Sequence, residues 1–152
     1  MVSIIITLYN KENTIKRTIL SALEQTYKDI EIIVVNDCST DNSLNICNEF
    51  CPNIKVVTTD QNYGLPKARQ VGIKHTKGDY ITFIDADDEI PYNYLEELLN
   101  TLLENNCDIA LCDVAVISKE KEVTRFICDN NKFNKVEALN LLLSRKGINS
   151  GP

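Results

Sequence analysis

The sequence predicts an α/β fold in which helices cover both faces of a mainly parallel sheet. Short apolar runs rich in Ile and Val alternate with amphipathic helical stretches along the first two-thirds of the chain. This alternation is typical of parallel strands joined by helical crossovers. Several runs are almost continuously apolar, as expected when both faces of a strand are buried. The length of 152 residues predicts one globular domain.

Apolar β-branched runs and their turn signals define the elements in this part of the chain. The predicted strands cover residues 2–8, 30–35, 55–59 and 80–84. The predicted helices cover residues 11–25, 41–50, 65–75 and 91–104. Gly78 closes the third helix and Pro91 opens the fourth. Each strand is therefore followed by a helix, which is the order of a doubly wound layer.

The pattern changes after Asp108. Two strand-like runs, at residues 109–117 and 122–127, flank a polar stretch at residues 118–121. Because the polar stretch is short, the two runs are expected to pair with each other. The sequence therefore predicts a hairpin after the parallel sheet.

A last helix is predicted near the end of the chain. Asn134 is placed to cap it, and Glu137, three residues later, completes a capping box. The helix is expected to end near Lys146. Residues 148–152 are turn-like and show no obvious stop. We therefore expect one domain, residues 1–152, that is truncated at its C-terminal end.

The composition disfavours several classes of protein. A net charge of −6 argues against a partner with a phosphate backbone, so no nucleic acid is expected. No apolar run approaches the roughly 20 residues that span a bilayer, and the N-terminus shows no secretion signal. The six cysteines include no C-x-x-C pair and are interpreted as reduced thiols. We expect a cytoplasmic protein, with peripheral association at the inner membrane face left open.

Two acidic turns directly follow predicted strands. Residues 36–39 (NDCS) come after the second strand, and residues 85–88 (DADD) come after the fourth. In an open α/β sheet, ligands bind in the crevice beyond the carboxyl ends of the strands. Carboxylates in such a crevice can hold a divalent cation or a nucleoside. The two turns therefore predict a pocket for a nucleotide and a metal ion.

Four short blocks stand in order along the first two-thirds of the chain. They are residues 2–10 (VSIIITLYN), 36–41 (NDCSTD), 62–69 (NYGLPKAR) and 85–88 (DADD). Together they resemble the family 2 glycosyltransferases with a GT-A fold, a Rossmann-like sheet flanked by helices. The sequence departs from the family pattern at Thr7, which replaces a proline, at Asn36, which replaces an acid, and at Cys38, which replaces a glycine.

The resemblance implies transfer of a sugar from a nucleoside diphosphate to an acceptor hydroxyl, with inversion at the anomeric carbon. A UDP-sugar is the expected donor, and a glycan or lipid-linked saccharide is the expected acceptor. Mn²⁺ or Mg²⁺ is the expected cofactor, because carboxylate oxygens suit these ions. The general base of the family lies beyond the position of Pro152, so no catalytic residue is assigned in this chain.

Two other functions stand as alternatives to sugar transfer. A nucleotide-binding module that does not catalyse transfer stays open. A nucleotidyltransferase is disfavoured, because the turn after the first strand, residues 9–12 (YNKE), lacks the glycines of a phosphate-binding loop. Dinucleotide-binding and P-loop glycine motifs are also absent from the sequence.

The first two blocks are expected to bind the nucleoside. Tyr9 is expected to stack on the base, with Thr7 hydrogen-bonding nearby; a tyrosine packed beside the first helix is the alternative. Asp37 is expected to accept the imide N–H of uracil, a donor that cytosine lacks. The alternative is that Asp37 caps the second helix, but Ser39 or Thr40 is expected to take that role.

The third and fourth blocks are expected to bind the diphosphate and the cation. Lys67 and Arg69 lie at the start of the third helix. The helix dipole disfavours positive charge at this end, but a diphosphate bound there would attract both side chains. A solvated helix face is the alternative for both residues. The triplet Asp85-Ala86-Asp87 resembles the D-x-D motif of the family. The resemblance implies that Asp87 coordinates the metal directly and that Asp85 contacts the ribose or a metal-bound water.

Overall fold

A four-stranded parallel sheet is the main element of the structure, a computed structural model that describes residues 1–112, 114–117, 123–126 and 132–143. The chain divides into two units, Met1–Asn100 and Thr101–Pro152. The strands of the sheet are β1 (Val2–Leu8), β2 (Ile30–Asn36), β3 (Lys55–Thr58) and β4 (Tyr80–Asp85). The helices that follow them are α1 (Ile15–Leu23), α2 (Ser43–Asn48), α3 (Leu65–Ile73) and α4 (Tyr94–Asn105).

The order of strands in the sheet is β3-β2-β1-β4, and all three pairings are parallel. The predicted α/β fold with a parallel sheet is confirmed. Leu8 at the end of β1 lies opposite Asn36 at the end of β2, and Thr7 lies opposite Asp85 at the end of β4. The carboxyl ends of these three strands therefore meet at one edge of the sheet.

The core lies on both faces of β1, in which every residue is buried. Ile4 and Ile6 belong to one apolar cluster, together with Ile19 of α1. Ile5 belongs to a second cluster, together with Ala68 of α3. Because successive side chains of a strand point to opposite faces, the continuous Ile run serves both clusters. Burying each such side chain stabilises the fold by about 1.5–3 kcal/mol.

The first helix is shorter than the predicted range of 11–25. Asn10 has a φ of 50°, which is outside the helical region. The carbonyl of Lys11 accepts hydrogen bonds from the backbone N–H groups of Thr14 and Ile15. The first residues of the predicted helix therefore form a turn, and α1 begins only at Ile15.

The hydrogen bonds of the loop before α2 differ from the predicted helix cap. Ser39 Oγ accepts a hydrogen bond from the backbone N–H of Asn10, and the Thr40 N–H donates to Asn10 Oδ1. The backbone N–H of Ser43 instead donates to Asp41 Oδ1 at 3.0 Å. The prediction that Ser39 or Thr40 caps this helix is wrong, because both residues connect to the loop after β1.

The second unit contains a hairpin and a helix. β5 (Val114–Ile117) pairs antiparallel with β6 (Val123–Phe126), as predicted, and the predicted turn at residues 118–121 lies outside the described residues. Helix α5 covers Lys135–Leu143. Its predicted capping box is present, with Glu137 N–H donating to Asn134 Oδ1 at 3.0 Å and Asn134 N–H donating to Glu137 Oε2 at 2.9 Å. The predicted helix end near Lys146 also lies outside the described residues.

Within the described part of the chain, Cys38, Cys47, Cys51 and Cys107 form no disulfide. Their interpretation as reduced thiols stays a prediction. Cys128 lies outside that part. Burial raises the pKa of the Cys47 thiol to about 12, so this side chain stays protonated at neutral pH. Among the described helices, none is long and apolar enough to cross a membrane.

Gly72 of α3 provides a test of the packing between α3 and the sheet. A Cβ atom there would lie 2.5 Å from Ile5 Cγ2 and 3.3 Å from Val35 Cγ2. We expect Gly72→Ala to lower the free energy of unfolding by about 1 kcal/mol, since overpacking costs more than the gain in helix propensity. Urea denaturation measures the effect, and Gln70→Ala on the exposed side of α3 is the control. A more stable Gly72→Ala variant would show that the helix and sheet are not in close contact.

Candidate functional site

An open cleft of about 320 Å³ lies beyond the carboxyl ends of β1, β2 and β4. Its walls come from the ends of these strands and the loops that follow them, from the segment after β3 and from the start of α3. The lining residues are Thr7, Leu8, Tyr9, Lys11, Asp37, Asn62, Gly64, Leu65, Ala68, Asp85, Ala86 and Asp87. Six of the eight residues predicted for the site are in this set: Thr7, Tyr9, Asp37, Asp85, Ala86 and Asp87.

Hydrogen bonds connect the loop after β1 to the loop after β2 and to the first residue of α2. The Lys11 N–H donates to Ser43 Oγ at 2.8 Å, and the Glu12 N–H donates to Asp41 Oδ2 at 3.0 Å. In return, Glu12 Oε2 accepts a hydrogen bond from the Asn42 N–H at 2.9 Å. These bonds join residues about 30 positions apart and fix the backbone of one cleft wall.

Asp37 is 3% exposed and holds the segment after β3 in place. One carboxylate oxygen accepts from the Thr59 hydroxyl at 2.8 Å, and the other accepts from the Gly64 N–H at 2.7 Å. Both oxygens share the Tyr63 N–H at 3.1 Å. Gly64 has a φ of 81°, a conformation that glycine adopts without strain. Asp37 does not cap α2; it positions the segment that carries Asn62 and Gly64 into the cleft.

Asp85 accepts two hydrogen bonds at Oδ1. The Arg69 guanidinium donates from 3.1 Å, and the Thr7 hydroxyl donates from 3.3 Å. The Arg69 guanidinium also lies 5.3 Å from the centre of the Phe83 ring, a cation–π arrangement. Buried Arg69 Nε has no hydrogen-bond partner among the described residues. Arg69 thus orients Asp85 without lining the cleft, and Thr7 acts on the same carboxylate.

The turn after β4 is fixed by α1. The hydroxyls of Thr14 and Thr18 both donate to the Ala86 carbonyl, at 2.9 and 3.1 Å. The Arg17 guanidinium donates to the Asp87 carbonyl at 3.2 Å. With its backbone held at two successive carbonyls, the turn presents the Asp87 side chain to the cleft.

Charge is concentrated on this turn. The Lys11 ammonium lies 2.6 Å from Asp87 Oδ2. Partial desolvation, followed by the negative charges of Asp85 and Asp87, raises the pKa of Asp88 above its usual value, while Lys11 and Arg17 oppose the rise. The negative charges of Asp85 and Asp87 therefore disfavour ionisation of Asp88, and a cation bound at the turn would reduce this repulsion.

The family described as Glycosyl transferase family 2 matches residues 3–150 of this chain. The chain belongs to that family. The Glycosyltransferase GlyA of Streptococcus pneumoniae is 42% identical over 112 residues, which are 72% of this chain and 16% of the relative. The UDP-Glc:alpha-D-GlcNAc-diphosphoundecaprenol beta-1,3-glucosyltransferase WfgD of Escherichia coli is 34% identical over 138 residues, which are 90% of this chain and 54% of the relative. The chain therefore spans only part of these family 2 relatives.

A solved structure shows the same kind of fold. The crystal structure of S. aureus TarS 1-349 in complex with UDP-GlcNAc has a TM-score of 0.65 and 33% sequence identity to this chain. The match covers 69% of this chain and 32% of TarS 1-349. The resemblance to family 2 glycosyltransferases with a GT-A fold is confirmed.

Two residues that were predicted to contact the diphosphate do not line this cleft. Lys67 is exposed on α3 and does not line the cleft, while its neighbour Ala68 faces the core and does. Arg69 reaches the site through Asp85. The proposed contacts of Lys67 and Arg69 with a diphosphate stay predictions.

Sequence reasoning missed two polar residues of the cleft, Lys11 and Asn62. Asn62 is the first residue of the third family block, and its position there could have identified it as a site residue. Lys11 had no such signal, because its partner Asp87 lies 76 residues away in the sequence.

The donor atoms of the turn fit a divalent cation. Within the described ranges, no three His, Cys, Asp or Glu side chains form a ready metal-binding group. Mg²⁺ in nucleotide sites is usually held by one or two carboxylates together with substrate phosphates, and Mn²⁺ prefers the same oxygen donors. Asp85 and Asp87 line the cleft on this turn and would provide the two carboxylates of such a site.

Proposed function

We propose that this chain forms the donor-binding part of a glycosyltransferase that uses a nucleoside diphosphate sugar, with UDP as the nucleotide. The observation that carries the proposal is the gathering of Tyr9, Asp37, Asp85 and Asp87 in one cleft at the carboxyl ends of three strands. Support comes from TarS, a 33% identical relative whose structure was solved in complex with UDP-GlcNAc.

The base and ribose are bound by the walls formed after β1 and β2. Tyr9 lines the cleft with 44% of its surface exposed, so its ring is available for stacking on a base. The Asp37 carboxylate has about four lone-pair positions and receives three donors, Thr59, Tyr63 and Gly64. Because the Tyr63 N–H is shared between both oxygens, the imide N–H of uracil is proposed to take one of the two positions that this shared bond occupies. Cytosine has no donor there, so the proposed selectivity is for UDP over CDP.

The diphosphate and a divalent cation are bound at the turn after β4. Asp87 would hold Mn²⁺ or Mg²⁺ directly. Asp85 would be the second carboxylate at the cation or would contact the ribose or a metal-bound water. When bound, the cation neutralises the negative charge that develops on the leaving diphosphate. Arg69 and Thr7 hold the Asp85 carboxylate in place by hydrogen bonds to its Oδ1. The hydroxyls of Thr14 and Thr18 hold the backbone of the turn.

The acceptor is a hydroxyl of a glycan or of a lipid-linked saccharide, and transfer proceeds with inversion. Support for this class comes from WfgD, which is named as a glucosyltransferase acting on a diphosphoundecaprenol-linked sugar. The acceptor oxygen forms its bond to the anomeric carbon as the bond to UDP breaks, and a general base takes the hydroxyl proton. We assign no residue of this chain to that base.

Calorimetric titration tests the donor site. UDP is titrated into the chain with Mn²⁺ and again with a chelator, and GDP and CDP are titrated under the same conditions. We expect binding that needs the metal and that is at least about tenfold tighter for UDP than for CDP, since one unmade hydrogen bond to a charged group costs about 1.5–3 kcal/mol.

Two results would contradict the proposal. Equal affinity for UDP and CDP would remove the assigned role of Asp37 in base recognition. Binding that is unchanged by the chelator would remove the cation from the donor site.

A further inference from the structure

Lys11 is the one basic residue among the described lining of the cleft. Its ammonium contacts Asp87 Oδ2 at 2.6 Å, and this contact spans the gap between the loop after β1 and the turn after β4. The two side chains are 40% and 44% exposed. The pair is therefore an accessible ion pair at the mouth of the cleft, where a ligand can reach both partners.

The backbones on both sides of this pair are fixed independently of it. The Lys11 N–H donates to Ser43 Oγ, and the Lys11 carbonyl accepts from Thr14 and Ile15. On the other side, α1 holds the turn through the Ala86 and Asp87 carbonyls. Because neither backbone depends on the ion pair, the Lys11 side chain can leave Asp87 without disturbing the cleft.

The ion pair and the cation of the proposed function require the same carboxylate. A divalent cation bound to Asp87 repels an ammonium group a few ångströms away. A diphosphate in the cleft carries about two negative charges and attracts that ammonium group. The contact of Lys11 with Asp87 is therefore favourable only while the cation and the diphosphate are both absent.

We propose that Lys11 is an exchangeable counter-ion of Asp87 that couples cation binding to nucleotide binding. It neutralises Asp87 in the empty cleft, is displaced when the divalent cation binds, and then pairs with the diphosphate. This inference rests on the proposed function. By linkage, the nucleotide raises the affinity for the cation and the cation raises the affinity for the nucleotide by the same factor.

Mn²⁺ binding followed by the EPR signal of free Mn²⁺ tests this role without any assay of sugar transfer. The affinity is measured with and without UDP for the unchanged chain and for Lys11→Met and Lys11→Arg. Lys16→Met is the matched control, because Lys16 is an exposed lysine of α1 that does not line the cleft. Asp87→Ala reports separately on the cation site.

Without UDP, we expect Lys11→Met to bind Mn²⁺ about fivefold tighter than the unchanged chain, which is the upper range for an exposed ion pair. With UDP, this advantage disappears, because the variant has lost its contact with the diphosphate. The UDP-induced gain in Mn²⁺ affinity therefore falls at least about fivefold in Lys11→Met, by the reciprocity of linkage. We expect Lys11→Arg to keep most of the coupling and Lys16→Met to keep all of it.

The failures of the two proposals are distinguishable. If Asp87→Ala abolishes Mn²⁺ binding while Lys11→Met leaves both the affinity and its UDP dependence unchanged, Lys11 does not exchange and this inference alone is overturned. If Mn²⁺ binds none of the chains, the cation site of the proposed function is overturned together with this inference. Equal effects of Lys11→Met and Lys16→Met would assign the change to net charge and overturn the specific role of Lys11.

Discussion

Replacing Asp87 with Ala is expected to abolish the Mn²⁺-dependent part of UDP binding. Asp87 is the carboxylate assigned to direct coordination, and its backbone is held by α1 rather than by its side chain. Loss of a residue that only supports a metal ligand typically lowers metal affinity 10–100-fold, so loss of the ligand itself should exceed about 100-fold. Calorimetric titration measures the UDP affinity of the variant once with Mn²⁺ and once with a chelator. We expect the two affinities to become equal.

The fold of the Asp87→Ala variant should be nearly unchanged. The side chain is 44% exposed, and its ion pair with Lys11 contributes less than about 1 kcal/mol to stability. Glu89→Ala is the matched control, since Glu89 carries the same charge on the same turn, pairs with Arg17 at 3.3 Å and does not line the cleft. If Glu89→Ala weakens UDP binding as strongly as Asp87→Ala, the effect is one of overall charge, and Asp87 is not a specific ligand.

The strands were the part of the fold that sequence reasoning predicted best. β1 occupies residues 2–8 as predicted, because a strand that packs on both faces needs an unbroken apolar run. The start of α1 was predicted wrongly, at residue 11 instead of Ile15. Its preceding loop is held by hydrogen bonds from Lys11 and Glu12 to Ser43 at the start of α2 and to Asp41 just before it, about 30 positions away. A local periodic pattern contains no information on such contacts.

Some residues of the candidate site were predictable from the sequence and others were not. Asp37, Asp85 and Asp87 were predictable because parallel strands bring their carboxyl ends to one edge, so acidic turns after different strands become neighbours. Lys67 was predicted to contact the diphosphate because it lies at the start of the third helix, in the third family block. On a helix, successive side chains point about 100° apart, so the inward position of Ala68 turns Lys67 away from the cleft. Which helical residue faces the site is a property of packing that the motif alone does not show.

The arrangement around Asp37 shows that one side chain can serve both fold and function. Its carboxylate lies 3% exposed beneath the cleft and accepts the backbone N–H groups of Tyr63 and Gly64. The same oxygens are proposed to accept the imide N–H of uracil. A nucleotide would therefore bind to a wall that Asp37 has already ordered, which lowers the entropy cost of binding.

Replacing Asp37 with Asn is expected to lower the free energy of unfolding by about 2 kcal/mol, because hydrogen bonds to a buried charged group are each worth about 1.5–3 kcal/mol. Asparagine keeps the size of the side chain, but its amide nitrogen is a donor facing another donor at Tyr63 or Gly64. Urea denaturation measures the stability. Hydrogen exchange measures the local effect, which we expect as lost protection of the Tyr63 and Gly64 amides.

Thr59→Val separates the role of the carboxylate from general damage to this wall. It removes the hydroxyl that donates to Asp37 at 2.8 Å but leaves the carboxylate on the Tyr63 and Gly64 amides. We expect a loss of only about 1 kcal/mol and unchanged protection of those amides. Asp37→Asn should also lose the preference for UDP over CDP, whereas Thr59→Val should retain it. If Asp37→Asn keeps full amide protection but loses the preference, Asp37 acts on the base alone and the segment after β3 is ordered by other contacts.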